Sequence, residues 1–81
     1  MELRNVELYM SNTRHWHMMG DVYKDNRGKW NDGQRIATSR IIKVNDSGAD
    51  IIVHTRNSEY LIKNYKENLS EEDLKVIEEW L

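Results

Sequence analysis

The chain has no cysteine, no proline and no phenylalanine among its 81 residues, and only three histidines. Without cysteine there is neither a disulfide staple nor a thiolate metal site, and a zinc centre with so few imidazoles would have to recruit Asp or Glu. No run of about 18 apolar residues occurs, and no charged-then-apolar N-terminal signal is visible. These two absences predict a soluble, unprocessed, cytosolic protein with no membrane partner. A glycine-rich phosphate loop of Walker or Rossmann spacing is missing, as are HExxH and any Ser-His-Asp set that strand phases bring together. The expectation is a protein without catalytic activity, cofactor or metal, because catalytic roles must be geometrically paired.

What is present is a hydrophilic chain whose Ile, Val, Leu, Trp and Tyr are grouped in short periodic runs, so it should fold. A chain of this length makes one domain, residues 1–81, and buries only about 60% of its unfolded surface. Oligomerisation is the common reinforcement that remains to it. The formal charge of −2 conceals an asymmetry: residues 1–63 carry ten Lys/Arg against eight Asp/Glu, and residues 64–81 carry two against six. Between Lys24 and Lys43 six basic residues face two acidic ones. That local excess suits a small anionic ligand better than a long polyanion, which needs a basic stripe on a basic domain.

The periodicity predicts strands at 4–10, where Val6, Leu8 and Met10 alternate with Glu7 and Tyr9, and at 15–23, where Trp16, Met18, Gly20 and Val22 share a face. Gly20 there marks a bulge or a close backbone approach. His15 and His17 point the same way on that strand, and His54 is the third imidazole; ordinary alternation around a buried Trp accounts for the pair. Gln34 to Val44 reads as the longest strand, although Arg40 interrupts its apolar face, which implies either a bulge near Ser39-Arg40 or a buried partner for the guanidinium. Asn45-Asp46-Ser47-Gly48 reads as a hairpin loop, followed by strands at 50–56 and 59–63. Ser70, with Asp73 three residues on, predicts a helix over 70–81, with Leu69 stapling against Leu74 and an apolar stripe of Leu74, Ile77 and Leu81. The expected fold is α+β and mainly β: a small five-stranded antiparallel barrel or curled sheet over 1–63, with one C-terminal helix.

Three pieces stand out in order: Gly20-Asp21-Val22-Tyr23, then Trp30-Asn31-Asp32-Gly33-Gln34-Arg35-Ile36-Ala37-Thr38-Ser39, then Thr55-Arg56-Asn57-Ser58-Glu59-Tyr60. Together they resemble small phage-borne proteins, and among these the first described type of Thoeris anti-defence sponge, which sequesters nucleotide immune signals. The likeness covers roughly residues 20–62. It implies an oligomeric β-rich body in the host-cell cytoplasm that binds cyclic ADP-ribose isomers, without turnover, between subunits. Some members also take cyclic di- or trinucleotides at separate sites.

A nucleotide needs a flat surface for its base, charge-assisted donors for its phosphates and polar donors for its ribose. Trp30 offers the first, or else folds back as a lid over a small core. Arg40 and Arg56 offer planar forks for phosphate, or else pair with Asp50 or Glu59. Thr38, Ser39, Asn57 and Ser58 offer the donors, or else cap their own turns. Tyr60 completes the candidate set. Asp32 reads as structural, fixing the Asp32-Gly33 turn. Two further classes remain open. One is an inhibitor of a host defence protein acting through the acidic helix; the other is a single-strand nucleic-acid binder stacking bases on Trp16, Tyr23, Trp30 and Tyr60.

Overall fold

Alternation of apolar and polar side chains sets the first hairpin. β1 (Glu2–Met10) pairs antiparallel with β2 (Trp16–Tyr23), and Ser11 closes the turn by donating its N–H to His15 O while accepting from Arg14 N. Leu3, Val6, Met18 and Val22 point to one face and are buried there. The pairing slips between Arg4 and Glu7, where Asn5 takes a left-handed conformation at φ 52°. Side chains on the outer face hold that bulge: Asn5 Nδ2 donates to Asp21, and Arg35 Nη1 donates to both Asp21 and the Asn5 carbonyl. These bonds, Asn5 first and Arg35 second, hold the Asp21 carboxyl below its usual range against the opposing effect of burial.

The computed structural model describes all 81 residues. Its remaining elements are β3 (Arg35–Ala37), β4 (Ile41–Ser47), β5 (Asp50–Thr55), β6 (Glu59–Ile62), α1 (Tyr65–Asn68) and α2 (Glu71–Trp80). The six strands form one sheet in the order β3-β2-β1-β6-β5-β4. Every neighbouring pair is antiparallel except β1 and β6, which run parallel through the single register pair Glu2 and Leu61. Two three-stranded meanders, each continuous in sequence, therefore meet at their first and last strands.

The mainly β α+β class with a C-terminal helix is as expected, but of the five-stranded antiparallel barrel or curled sheet two features are corrected and one alternative falls: there are six strands, the sheet is mixed, and it is not closed into a barrel. The main cause lies in the long strand predicted at 34–44. It breaks at Thr38-Ser39-Arg40 into β3 and β4, which occupy opposite edges of the sheet. Arg40 is exposed on this strap, and inward facing resumes at Ile41 and Val44 across a second slip of register. Four residue steps carry the chain from one edge to the other, roughly 14 Å at most. The strap satisfies its own backbone on both sides. Thr38 N–H donates to Met18 O, Thr38 Oγ1 accepts from Met18 N, and Arg56 N–H donates to the Arg40 carbonyl. The second hairpin is also tighter than expected, since β4 runs through Asn45-Asp46-Ser47 and only Gly48 and Ala49 turn.

The C-terminal helix follows its signals. Ser70 Oγ accepts from Asp73 N, and Ile77 is wholly buried. Asp73 adds a contact the sequence did not announce, its Oδ2 accepting from Leu8 N on β1. Of the predicted apolar stripe Ile77 alone is fully buried: Leu74 is half-buried and Leu81 exposed, and the neighbouring Val76 and Trp80 are half-buried and exposed. No helix is long and apolar enough to cross a membrane.

Candidate functional site

The loop between β2 and β3 is organised by one carboxylate. Asp25, whose side chain is 1% exposed, accepts hydrogen bonds from Arg27 N at 3.1 Å and Trp30 N at 2.9 Å. Gly28 supplies the φ of 70° that folds the loop back so that both amides converge, a conformation that costs glycine little. Burial alone would raise the Asp25 carboxyl; hydrogen bonds from the Arg27 and Trp30 amides, the Arg27 charge and the Lys29 amide outweigh it, so the group stays ionised below its usual range. Asp32, expected to fix its own Asp32-Gly33 turn, accepts through Oδ1 from Lys24 N at the end of β2, and the turn itself is closed by Gln34 N–H on the Asn31 carbonyl.

This loop presents three side chains to the strap and to the β5–β6 turn. Arg27 Nη2 donates to Ser58 Oγ at 2.9 Å, and its Nε lies 3.7 Å from Asp25. Lys29 Nζ stands 5.0 Å from the Trp30 ring centroid, close enough for cation–π attraction. Trp30 is half-buried, packs against the core and is among the residues lining the cleft. The result is a cleft of about 180 Å³. Six expected residues line it together: Trp30, Thr38, Ser39, Asn57, Ser58 and Tyr60. Segments far apart in sequence are thus brought to one place.

Two expected residues are not among the lining. Arg40 and Arg56 are exposed and make no ion pair; Glu59 pairs instead with His54 Nδ1 at 3.3 Å. The cations that do line the cleft are Arg27 and Lys29. The sequence carried a signal for them, because Asp-x-Arg before a glycine is an Asx-turn pattern that pins a loop; it was legible as a loop without revealing which way Arg27 would point.

Most of the hydroxyls are committed. Thr38 Oγ1 donates to Ser39 O, Ser39 Oγ donates to Thr55 Oγ1 and accepts from Asn57 N, and Thr55 Oγ1 accepts from Ser58 N. This chain fastens the strap to the β5–β6 turn, in line with the local-capping reading. The Tyr60 phenol and the Trp30 indole N–H make no internal hydrogen bond, and neither is shut away, since the one buried side-chain polar atom without a partner is Glu2 Oε1. Those two donors, an indole face and two cations are what the cleft offers a ligand.

The histidines are placed separately. His17 stacks on Tyr9 at 5.2 Å and bonds the Thr38 carbonyl through Nδ1, His54 meets Asn45 and Glu59, and His15 is exposed before β2. No three His, Cys, Asp or Glu gather as a metal site would need. Asp21, His17 and Asp32 each serve a different structural contact. No protein-family model, no curated protein and no solved structure matches the chain.

Asp25→Ala is expected to loosen the loop. The Arg27 and Trp30 amides lose their acceptor, and their hydrogen exchange should rise by roughly tenfold or more while β5 amides keep their protection. Unchanged exchange at both amides would mean that Gly28 and the flanking turns hold the loop without the carboxylate.

Proposed function

We propose that the chain binds a small nucleotide signal without turning it over and holds it between two copies of itself, in the manner of a phage anti-defence sponge acting in the host-cell cytoplasm. The observation that carries this reading is the convergence of Trp30, Thr38-Ser39 and Asn57-Ser58-Tyr60 beside Arg27 and Lys29 in one cleft. The indole offers a base a stacking face, the cations suit phosphate, and the free phenol suits a ribose or phosphate oxygen. Size argues for the second copy. At about 180 Å³ the cleft falls below the ~300 Å³ at which small-molecule sites begin, so a nucleotide needs a facing surface to cover it.

The test is calorimetry and thermal shift with cyclic ADP-ribose isomers and cyclic di- and trinucleotides, followed by chemical identification of the released ligand. Binding should raise the melting temperature, by the equivalent of about 4 kcal/mol at ligand a thousandfold above its Kd, and the ligand should come off intact. Trp30→Ala should weaken binding roughly ten- to a hundredfold, the range for losing one stacked base. No shift with any nucleotide would sink the reading.

A second reading is inhibition of a basic host defence protein through α2, whose Glu71, Glu72, Glu78 and Glu79 are all exposed beside Trp80 and Leu81. Charge reversal on that helix separates the two, abolishing inhibition and leaving a nucleotide cleft intact.

A further inference from the structure

Where β1 meets β6, three cations converge on one carboxylate. The Glu2 side chain is 4% exposed, and its Oε2 accepts from Arg4 Nε. The Arg4 guanidinium in turn lies over the Tyr23 ring at 4.0 Å. Lys24 Nζ and Lys63 Nζ stand 3.8 Å and 3.7 Å from Oε1, near enough for attraction and too far for a direct hydrogen bond. Glu2 Oε1 is the only buried side-chain polar atom in the chain without a hydrogen-bond partner. The hydrogen bond from Arg4 holds the carboxyl below its usual range against the opposing effect of burial, with the charges of Arg4, Lys63 and Lys24 adding to it. The group is therefore ionised at neutral pH and can only accept.

Glu2 is among the residues lining two clefts. One, of about 340 Å³, opens where β1 and β6 part after their single pair and is lined by Asn5, Lys63 and Asn68. The other, of about 410 Å³, is lined by Lys24, Asn26 and Lys63. Both fall within the ~300–1,000 Å³ of small-molecule sites, and neither includes Trp30, Thr38 or Tyr60.

An occupant must satisfy two demands at once. The lysines want anionic oxygens, and Glu2 Oε1 wants a donor. Sulfate meets the first and is repelled by the carboxylate; a neutral alcohol meets only the second. We propose that Glu2, Lys24 and Lys63 form a binding site for a phosphate group that retains a proton, either inorganic phosphate or a phosphate monoester. Its charged oxygens lie against the two ammonium groups, and its P–O–H donates to Glu2 Oε1. A phosphodiester has no such proton and is refused.

The experiment is an amide-resolved NMR titration of the full chain at pH 6 and constant ionic strength, close to the second ionisation of a monoester at about 6. The four probes are inorganic phosphate, glycerol 1-phosphate, sulfate and dimethyl phosphate. Phosphate should move the Lys24, Lys63 and Asn68 amides saturably, with sulfate and dimethyl phosphate weaker by roughly tenfold or more, the effect of one charge-assisted hydrogen bond exchanged for repulsion. Glycerol 1-phosphate joining phosphate assigns the site to monoesters; phosphate alone assigns it to the free ion. Glu2→Gln, whose carboxamide can donate, should abolish the preference and let sulfate bind as well as phosphate. Lys63→Ala, at a side chain 49% exposed, should keep the fold and weaken phosphate binding roughly tenfold. Equal binding of sulfate and phosphate by the unaltered chain overturns the proposal, as does a missing saturable shift or a response centred on the Trp30 indole. That ratio decides the question even if Glu2→Gln fails to fold.

Discussion

Ile77→Ala is expected to cost about 2–5 kcal/mol, the range for truncating a buried aliphatic side chain to alanine. Ile77 is the one residue of α2 with no exposure at all, whereas Trp80 is 36% and Leu81 48% exposed. The helix has no other full anchor. Its first turn is held by the Ser70 cap and by Asp73 on the Leu8 amide, and its last turn has no basic residue to complement the dipole. Truncation therefore removes the helix's only fully buried side chain, in a domain whose total stability is of the order of 5–15 kcal/mol. Urea denaturation followed by circular dichroism reads the effect. Leu81→Ala is the control and should stay within about 0.5 kcal/mol, as exposed substitutions do. Equal effects of the two would show that the helix is held by its first turn alone.

Gly20→Val is expected to be as damaging for the opposite reason, excess volume. A β-carbon at Gly20 would lie 2.6 Å from Leu3 Cγ and 3.0 Å from the Arg4 carbonyl oxygen. Leu3 is 1% exposed and cannot swing away, and the carbonyl belongs to a paired strand. Valine favours strands, worth at most about 1 kcal/mol, but overpacking costs typically 1–3 kcal/mol and more where backbone must move. The clash wins. The consequence extends to the outer face, because Arg4 also grips Glu2, and displacement of β1 would pull that carboxylate away from Lys24 and Lys63. The same denaturation experiment, read beside Gly48→Ala at an open turn position with φ 73°, separates overpacking from the loss of a flexible residue. A smaller loss for Gly20→Val than for Gly48→Ala would contradict it.

What the sequence disclosed and what it concealed divide along a physical line. The hairpin of β1 and β2, the β5–β6 pairing and the Ser70 cap rest on contacts between near neighbours, and each was legible from alternation or capping chemistry. The break at Thr38-Ser39-Arg40 was half legible. Arg40 inside an apolar face announced a fault, but a change of sheet edge depends on Met18 and Arg56 supplying backbone partners from remote positions. The parallel meeting of β1 and β6 left no mark at all, since nothing in Glu2 or Leu61 names the other. At the candidate site the same rule held. Trp30, Ser58 and Tyr60 were singled out by residue type and line one cleft, while Asp25, Arg27 and Lys29 owe their places to the direction in which one loop folds.

The parallel join between the two meanders also bears on how the chain acquires its structure. Each meander closes through short turns and gains its contacts early, at low cost in chain entropy. The Leu61 amide, which donates to the Met1 carbonyl, belongs to a contact between the start of the chain and its sixth strand and needs both meanders to be present. Until β6 is made, β1 has no partner on that edge, so the two meanders are expected to order before the join between them. Hydrogen-exchange pulse labelling during refolding is expected to show amides of the two outer hairpins protected before the Leu61 amide at the seam.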